Sequence, residues 1–67
     1  MLEIHRVNHH AKSEGDLTHS WVPFVGRKIL RNPHRSDGHF TSQYSARKAI
    51  GKEIGQDPFS LQIRIVK

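Results

Sequence analysis

Apolar and polar residues alternate with a period of two near both ends of the chain. In the segment 2–7, Leu2 and Ile4 alternate with Glu3 and His5 ahead of Arg6 and Val7, and the segment 59–66 carries Leu61, Ile63 and Ile65 on one face. Because successive side chains of a strand point to opposite faces of a sheet, the alternation predicts two half-buried strands. These strands are suited to pair with each other and so to hold both termini, but the pattern alone does not decide this.

The richest apolar run, residues 21–25, is joined by Gly26-Arg27 to a shorter run at 28–31. A two-residue Gly-X connection between extended segments is typical of a type II′ hairpin, because glycine adopts a positive φ at the first turn position. Pro23 lies inside the first of these strands and has no N–H to donate. We therefore expect its strand at a sheet edge, or paired on one side only.

Helical spacing appears between residues 43 and 54, where one face carries Ala46, Ala49, Ile50 and Ile54. This spacing predicts an amphipathic helix. Ser42 or Ser45 can cap its N-terminus. Gly55 stands where a left-handed C-terminal cap belongs, and Pro58 prevents the helix from continuing.

The remaining segments are polar. Residues 8–20 predict a long flexible loop, residues 32–38 a surface turn, and residues 39–42 a short strand. No linker divides the chain, so residues 1–67 are expected to form a single domain. The order of elements predicts an α+β fold, with a small antiparallel sheet of three to four strands packed on one face by a single helix.

Length and composition narrow the function classes. A chain of 67 residues buries only about 60% of the surface of its unfolded form, which excludes most enzyme scaffolds. It has no cysteine, so neither a disulfide nor a thiolate zinc site supports the core. No segment approaches the roughly 18 to 20 apolar residues of a membrane span or resembles a signal peptide. We expect a cytoplasmic protein that does not associate with membranes.

The net charge of +5 is confined to one part of the chain. Between residues 27 and 52 there are seven cationic residues and one acid, giving +6, whereas the rest sums to −1. On the predicted helix, Arg47, Lys48 and Lys52 fall within an arc of about 140° that also contains Tyr44 and Gly51. Solvated surfaces usually mix both signs of charge, so a segment of 26 residues with one acid favours a polyanionic partner.

The sequence therefore predicts a small DNA- or RNA-binding or regulatory domain that contacts phosphates. The predicted site consists of Arg27, Lys28, Arg31, Arg35, Tyr44, Arg47, Lys48 and Lys52, with Tyr44 available for base stacking. Two alternatives stay open. One is an ordinary solvated basic face. The other is a protein-interaction module that offers a sheet edge or the region of Trp21 and Phe24 to an acidic partner.

Part of the sequence also resembles a known protein family. A three-stranded sheet led by Trp21, followed by Phe40-Thr41-Ser42 and a helix with an early alanine at Ala46, resembles the arm-DNA-binding domain at the N-terminus of tyrosine recombinases. The resemblance covers about residues 20–54. It implies a DNA partner that is contacted through the face of the sheet.

Six histidines raise the questions of metal binding and catalysis. Structural zinc needs four converging ligands, and adjacent His9 and His10 cannot easily chelate together, so we expect neither a metal nor another cofactor. The best catalytic candidate is a ribonuclease in which His34 and His39 transfer protons and Arg35 binds phosphate. Since no nucleophile or phosphate-binding motif accompanies them, the sequence predicts a protein that is not an enzyme.

Overall fold

The computed structural model describes residues 1–8 and 19–67, in which a four-stranded sheet packs against one helix. The elements are β1 (Leu2–Asn8), β2 (His19–Val25), β3 (Lys28–Ile29), α1 (Gln43–Ile54), a short 3₁₀ helix (Pro58–Ser60) and β4 (Arg64–Val66). The predicted α+β architecture with a single helix is confirmed. Among the helices that the structure describes, none has the length and apolar character needed to cross a bilayer.

The strands lie in the order β3-β2-β1-β4. β1 runs antiparallel to β2, from the pair Leu2 and Val25 to the pair Asn8 and His19. β4 runs parallel to β1, with Ile4 opposite Ile65. The first and last strands therefore pair, which fixes both ends of the chain, and the parallel β1–β4 pair makes the sheet mixed.

The β2–β3 hairpin confirms the predicted two-residue connection. Val25 pairs with Lys28, and the first turn residue, Gly26, has φ +61°. The expectation for Pro23 was wrong, because β2 is an interior strand between β1 and β3. Leu30 N–H donates to the Pro23 carbonyl at 3.0 Å, but Pro23 has no N–H to return the bond. The ladder stops there, which explains why β3 ends at Ile29.

Two predicted segments around β2 have different boundaries in the structure. Asn8 pairs with His19, so β1 and β2 extend into the predicted loop 8–20, and the rest of that loop, residues 9–18, lies outside the described residues. The strand predicted at 39–42 is reduced to a single bridge between Phe40 and Trp21. Their N–H groups and carbonyls exchange bonds of 2.8 and 2.9 Å.

The strand predicted at 59–66 is also shorter than expected. Only Arg64–Val66 pairs with β1, because Glu3 is already opposite Arg64 and β1 begins one residue earlier, at Leu2. Residues Pro58–Ser60 form the 3₁₀ helix instead. Asp57 caps that turn, since its Oδ1 accepts a hydrogen bond from Phe59 N at 3.0 Å, and proline at the first helical position has a preset φ.

The core lies between the sheet and α1. Its buried members are Ile4, Trp21, Leu30, Phe40, Ala46 and Ile50. Ser42 caps α1 by accepting a hydrogen bond from Ser45 N at 3.1 Å, and Gly55 ends it with φ +72°. Both caps agree with the sequence prediction, so α1 is fixed in length, and its apolar face is fully covered by the sheet at Ala46 and Ile50.

Candidate functional site

An open groove runs between α1 on one side and β3 with the following loop on the other. Its volume is about 760 Å³. Four of the eight predicted site residues line it, namely Lys28, Arg31, Lys48 and Lys52, and its apolar lining includes Leu30, Phe40 and Ala49. This basic groove, defined by those four cations, is the candidate functional site.

Helix α1 supplies one wall of the basic groove. Burial of Ala46 and Ile50 against the sheet turns Lys48 and Lys52 outward, and both lysines are exposed. Residues four positions apart lie on the same side of a helix, about 6 Å apart along its axis. The two ammonium groups are therefore free to approach one extended anionic ligand.

The opposite wall is the loop 32–38, which its own hydrogen bonds hold in place. Asn32 N–H donates to the Gly38 carbonyl at 2.8 Å, and Asn32 Nδ2 donates to the His39 carbonyl at 3.1 Å. Arg35 binds Asp37 through Nε and Nη2 at 3.2 and 3.1 Å. This loop is therefore a turn closed by its own hydrogen bonds.

The Arg35–Asp37 pair has an electrostatic consequence. The hydrogen bond from Arg35, followed by that from the backbone N–H of His39, lowers the pKa of Asp37 to about 2. The same side-chain hydrogen bond raises the pKa of Arg35. The charge of Arg35 is thus balanced within the loop.

Arg31 and Arg27 occupy different surroundings. Arg31 lies against Gly38, where an added Cβ would come within 3.2 Å of Arg31 Nη1. Gly38 also has φ +73°, so its lack of a side chain lets the loop turn beside Arg31. Arg27 is exposed in the β2–β3 turn and does not line the basic groove.

Arg47 faces the C-terminal segment of the chain. Its Nη1 donates to the carbonyls of Pro58 and Leu61, each at 3.1 Å. Gly51 is buried on the same side, where an added Cβ would lie 2.8 Å from the Gln56 carbonyl oxygen and 3.0 Å from Pro58. The arc predicted from the sequence as one solvent-facing basic surface is therefore divided, and part of it is covered by the chain that follows α1.

Phe59 was predicted to lie in the last strand, but it lies in the 3₁₀ helix. Its ring is 64% exposed and lies 5.6 Å, between ring centroids, from Tyr44, which is 56% exposed. Lys48 Nζ is 5.4 Å from the centre of the Tyr44 ring. The sequence Asp57-Pro58 could have indicated this turn, because a capping residue followed by proline favours a turn over a strand.

One acid lies at the groove. Glu53 forms an ion pair with Lys28, joining α1 to β3. Glu53 is one residue beyond the segment 27–52, so the sequence charge count did not include it with the cations. Within residues 1–8 and 19–67, the groove lining therefore holds four Lys or Arg residues against one carboxylate, which is paired with Lys28.

The histidines that the structure describes do not combine into a metal site. His39 Nδ1 and Ser20 Oγ are 2.7 Å apart, and Ser20 is fully buried, so this contact fastens the chain after the loop to β2. His34 is exposed, with its N–H donating to Asn32 Oδ1 at 3.0 Å. Within residues 1–8 and 19–67, no group of three or more His, Cys, Asp or Glu could hold a metal ion. His9 and His10 lie outside the described residues.

The region of Trp21 and Phe24, which the sequence offered as a docking surface for an acidic protein, is largely covered in the structure. Trp21 is only 7% exposed and belongs to the core, so it offers no docking surface. Phe24 is half-buried, with its ring centroid 4.4 Å from that of His5. Glu3 on the same sheet face lies 3.8 Å from Arg64, so charge there is compensated within the fold.

Comparisons with known proteins add no identification: no family model, no curated protein and no solved structure matches this chain. The resemblance to arm-DNA-binding domains therefore depends on its short motif alone. In the structure Phe40 of that motif is buried and Ser42 caps α1, so both have structural roles.

Proposed function

We propose that this protein binds nucleic acid and that the phosphates occupy the basic groove. The observation that carries the proposal is the convergence of Lys28, Arg31, Lys48 and Lys52 on one open groove from two separate parts of the chain. Cations that neutralise phosphates release condensed counterions, which favours binding without any sequence-specific contact. A partner with a high density of negative charge would benefit most from this arrangement.

The pairing of the other cations supports the groove over the rest of the basic segment. Arg35 is held by Asp37, and Arg47 donates to two backbone carbonyls. Exposed Lys48 and Lys52 have no such partner among the described contacts of residues 1–8 and 19–67, apart from the ring of Tyr44 beside Lys48. We therefore assign phosphate contact mainly to the groove cations and regard Arg35 and Arg47 as positioning residues.

The sheet face that the resemblance implies is less suited to DNA. It carries Glu3 paired with Arg64 and an aromatic contact between His5 and Phe24. The carboxylate of Glu3 balances the cation of Arg64 there, whereas the described lining of the groove holds four cations against one carboxylate. A phosphate backbone is therefore better accommodated on the groove side of the molecule.

Salt dependence of binding tests the proposal. Fluorescence polarisation with labelled DNA and RNA should give a straight line for log affinity against log salt between about 50 and 200 mM. The double variant Lys48→Gln with Lys52→Gln should reduce the slope by roughly 1.4 to 1.8, the value for two phosphate contacts.

The matched control is Arg64→Gln with Lys67→Gln, which removes the same charge outside the groove. It should change the slope by less than half as much. Binding that does not depend on salt, or equal slopes for both double variants, would contradict the proposal.

A further inference from the structure

Two exposed aromatic rings lie beside the basic groove and have no role in the core. Tyr44 and Phe59 contact each other at 5.6 Å between ring centroids, tilted by 39°. Lys48 links this pair to the groove, since it lines the groove and its Nζ is 5.4 Å from the Tyr44 ring centre. We call Tyr44 and Phe59 the aromatic pair.

Several features hold Phe59 at the surface. Asp57 caps the turn that carries it, and Ser60 Oγ donates to the Asp57 carbonyl at 2.9 Å. Arg47 donates to the carbonyls of Pro58, the first residue of that turn, and of Leu61, which follows it. The missing side chain of Gly51 allows the turn to approach α1 closely. The ring is thus positioned before any ligand arrives, although it remains 64% exposed.

We infer that the ligand of the basic groove is a single-stranded nucleic acid whose bases stack on Tyr44 and Phe59. This inference rests on the proposed function and adds the class of nucleic acid. The bases of a duplex are already stacked on one another, whereas the unpaired bases of a single strand have free faces that stack on aromatic side chains. A strand with a phosphate beside Lys48 would bring a neighbouring base to the Tyr44 ring.

The charge pattern around the pair agrees with such a ligand. Lys48 and Lys52 line the groove, where a phosphate backbone would run, and Tyr44 lies beside Lys48, with Phe59 next to Tyr44. Nonspecific single-strand binding sites combine these two components, a basic channel and a stacking platform. A protein partner with an acidic surface would use the lysines but would have no general requirement for two exposed rings.

Binding should be measured by fluorescence polarisation with a DNA strand of about twelve nucleotides, an RNA strand of the same sequence and the corresponding DNA duplex. The proteins to compare are the unaltered chain, Phe59→Ala, Phe59→Trp, Tyr44→Ala and Tyr44→Phe. Trp21 fluorescence in thermal unfolding checks folding in every variant except Phe59→Trp, where circular dichroism takes its place. Since both rings are more than half exposed, truncation should leave the core intact.

The unaltered chain should bind at least one of the single strands about fivefold or more tightly than the duplex. Phe59→Ala should weaken single-strand binding about five- to a hundredfold and duplex binding less than twofold, since one stacked base contributes this much. Phe59→Trp and Tyr44→Phe should retain the single-strand preference. In the NMR spectrum, a bound strand should shift the ring protons of Tyr44 and Phe59.

Equal loss of single-strand and duplex binding in Phe59→Ala, or no loss at all, would overturn this inference. The inference would also be overturned if polyglutamate of matched charge bound as tightly as the strand and its binding required Phe59. The proposed function fails separately, when Lys48→Gln with Lys52→Gln leaves all binding unchanged. Loss of binding in the lysine variant without any effect of the ring variants would keep the groove and reject the aromatic pair.

Discussion

The two sides of helix α1 that flank its buried face both carry basic residues, but these residues have different partners. On one side, Lys48 and Lys52 are exposed along an open groove. On the other, Arg47 donates to two backbone carbonyls and Gly51 is packed against Pro58. Both sides belong to the segment with a charge of +6, so charge density in the sequence does not by itself identify which cations face a ligand.

The chain that follows α1 gives neighbouring cations of the helix different surroundings. The chain after α1 turns back at Gly55 and forms a 3₁₀ helix that covers one flank of α1. Any cation on that flank meets carbonyl oxygens, which accept its hydrogen bonds. A cation on the other flank meets the groove, where Glu53, an acid of the lining, is already paired with Lys28.

The largest expected effect is the loss of stability in Gly51→Val. The new Cβ would lie 2.8 Å from the Gln56 carbonyl oxygen and 3.0 Å from Pro58, so the chain after α1 must move. We expect a loss of about 1–3 kcal/mol in the free energy of unfolding, the usual cost of overpacking. Urea denaturation followed by Trp21 fluorescence measures it.

The control for that variant is Lys52→Val, which places the same side chain one residue further along on the exposed side. It should change the free energy of unfolding by no more than about 0.5 kcal/mol. Equal destabilisation by the two variants would contradict the distinction between the two flanks of α1.

The next effect is that of Arg47→Leu, which keeps part of the side chain but removes both hydrogen bonds. The carbonyls of Pro58 and Leu61 would lose a charged donor, and we expect a cost of about 1–2 kcal/mol because these groups are only partly buried. Nuclear Overhauser contacts between Tyr44 and Phe59 should weaken as the turn loosens. Unchanged stability together with unchanged ring contacts would show that Arg47 does not position the turn.

A smaller effect is expected for Glu53→Gln, which releases Lys28 from its ion pair. Affinity for nucleic acid should rise about two- to fivefold, since exposed ion pairs contribute up to about 1 kcal/mol. Titration by fluorescence polarisation measures the change. Glu3→Gln removes a carboxylate from the opposite sheet face and should change affinity by less than half as much; an equal gain would argue against the groove.

The smallest effect concerns pH and the loop 32–38. Because the pKa of Asp37 is lowered to about 2, the contribution of its ion pair with Arg35 is fully present above the ordinary value of 3.8 and is lost as the pH falls through about 2. The His39 amide, which donates to Asp37 Oδ1, should titrate in NMR with a midpoint near 2. In Arg35→Gln the midpoint should rise towards 3.8; a midpoint already near 3.8 in the unaltered chain would contradict the pair.

The parts of the fold that depend on local signals could be predicted from the sequence. Helix α1 begins and ends where Ser42 and Gly55 indicated, and the β2–β3 turn has the glycine conformation that Gly-X predicted. Pro23 was misplaced because a missing N–H only ends one ladder and does not exclude an interior strand. Local sequence signals therefore predicted the turns and helix caps correctly, but not the position of the strand that contains Pro23.

The candidate site depended on contacts between distant residues, which a periodic pattern does not contain. Lys28 and Glu53 are 25 positions apart, and Arg47 meets a carbonyl 14 positions later. The helical arc correctly placed Lys48 and Lys52 together, but it could not show that Gln56 and Pro58 would cover Gly51. For the same reason the contact of Phe59 with Tyr44 was missed, whereas the assignment of Phe59 to a strand overlooked the local turn signal of Asp57-Pro58.

The most direct test compares two adjacent cations, Arg47 and Lys48, in single-strand binding at several salt concentrations. Lys48→Gln should reduce the slope of log affinity against log salt by about 0.7, the value for one phosphate of a single strand, and leave thermal stability unchanged. Arg47→Gln should lower thermal stability and leave the slope within about 0.2 of its original value. Equal changes of slope in the two variants, or a larger change for Arg47→Gln, would contradict the division of α1 into a ligand-binding flank and a structural flank.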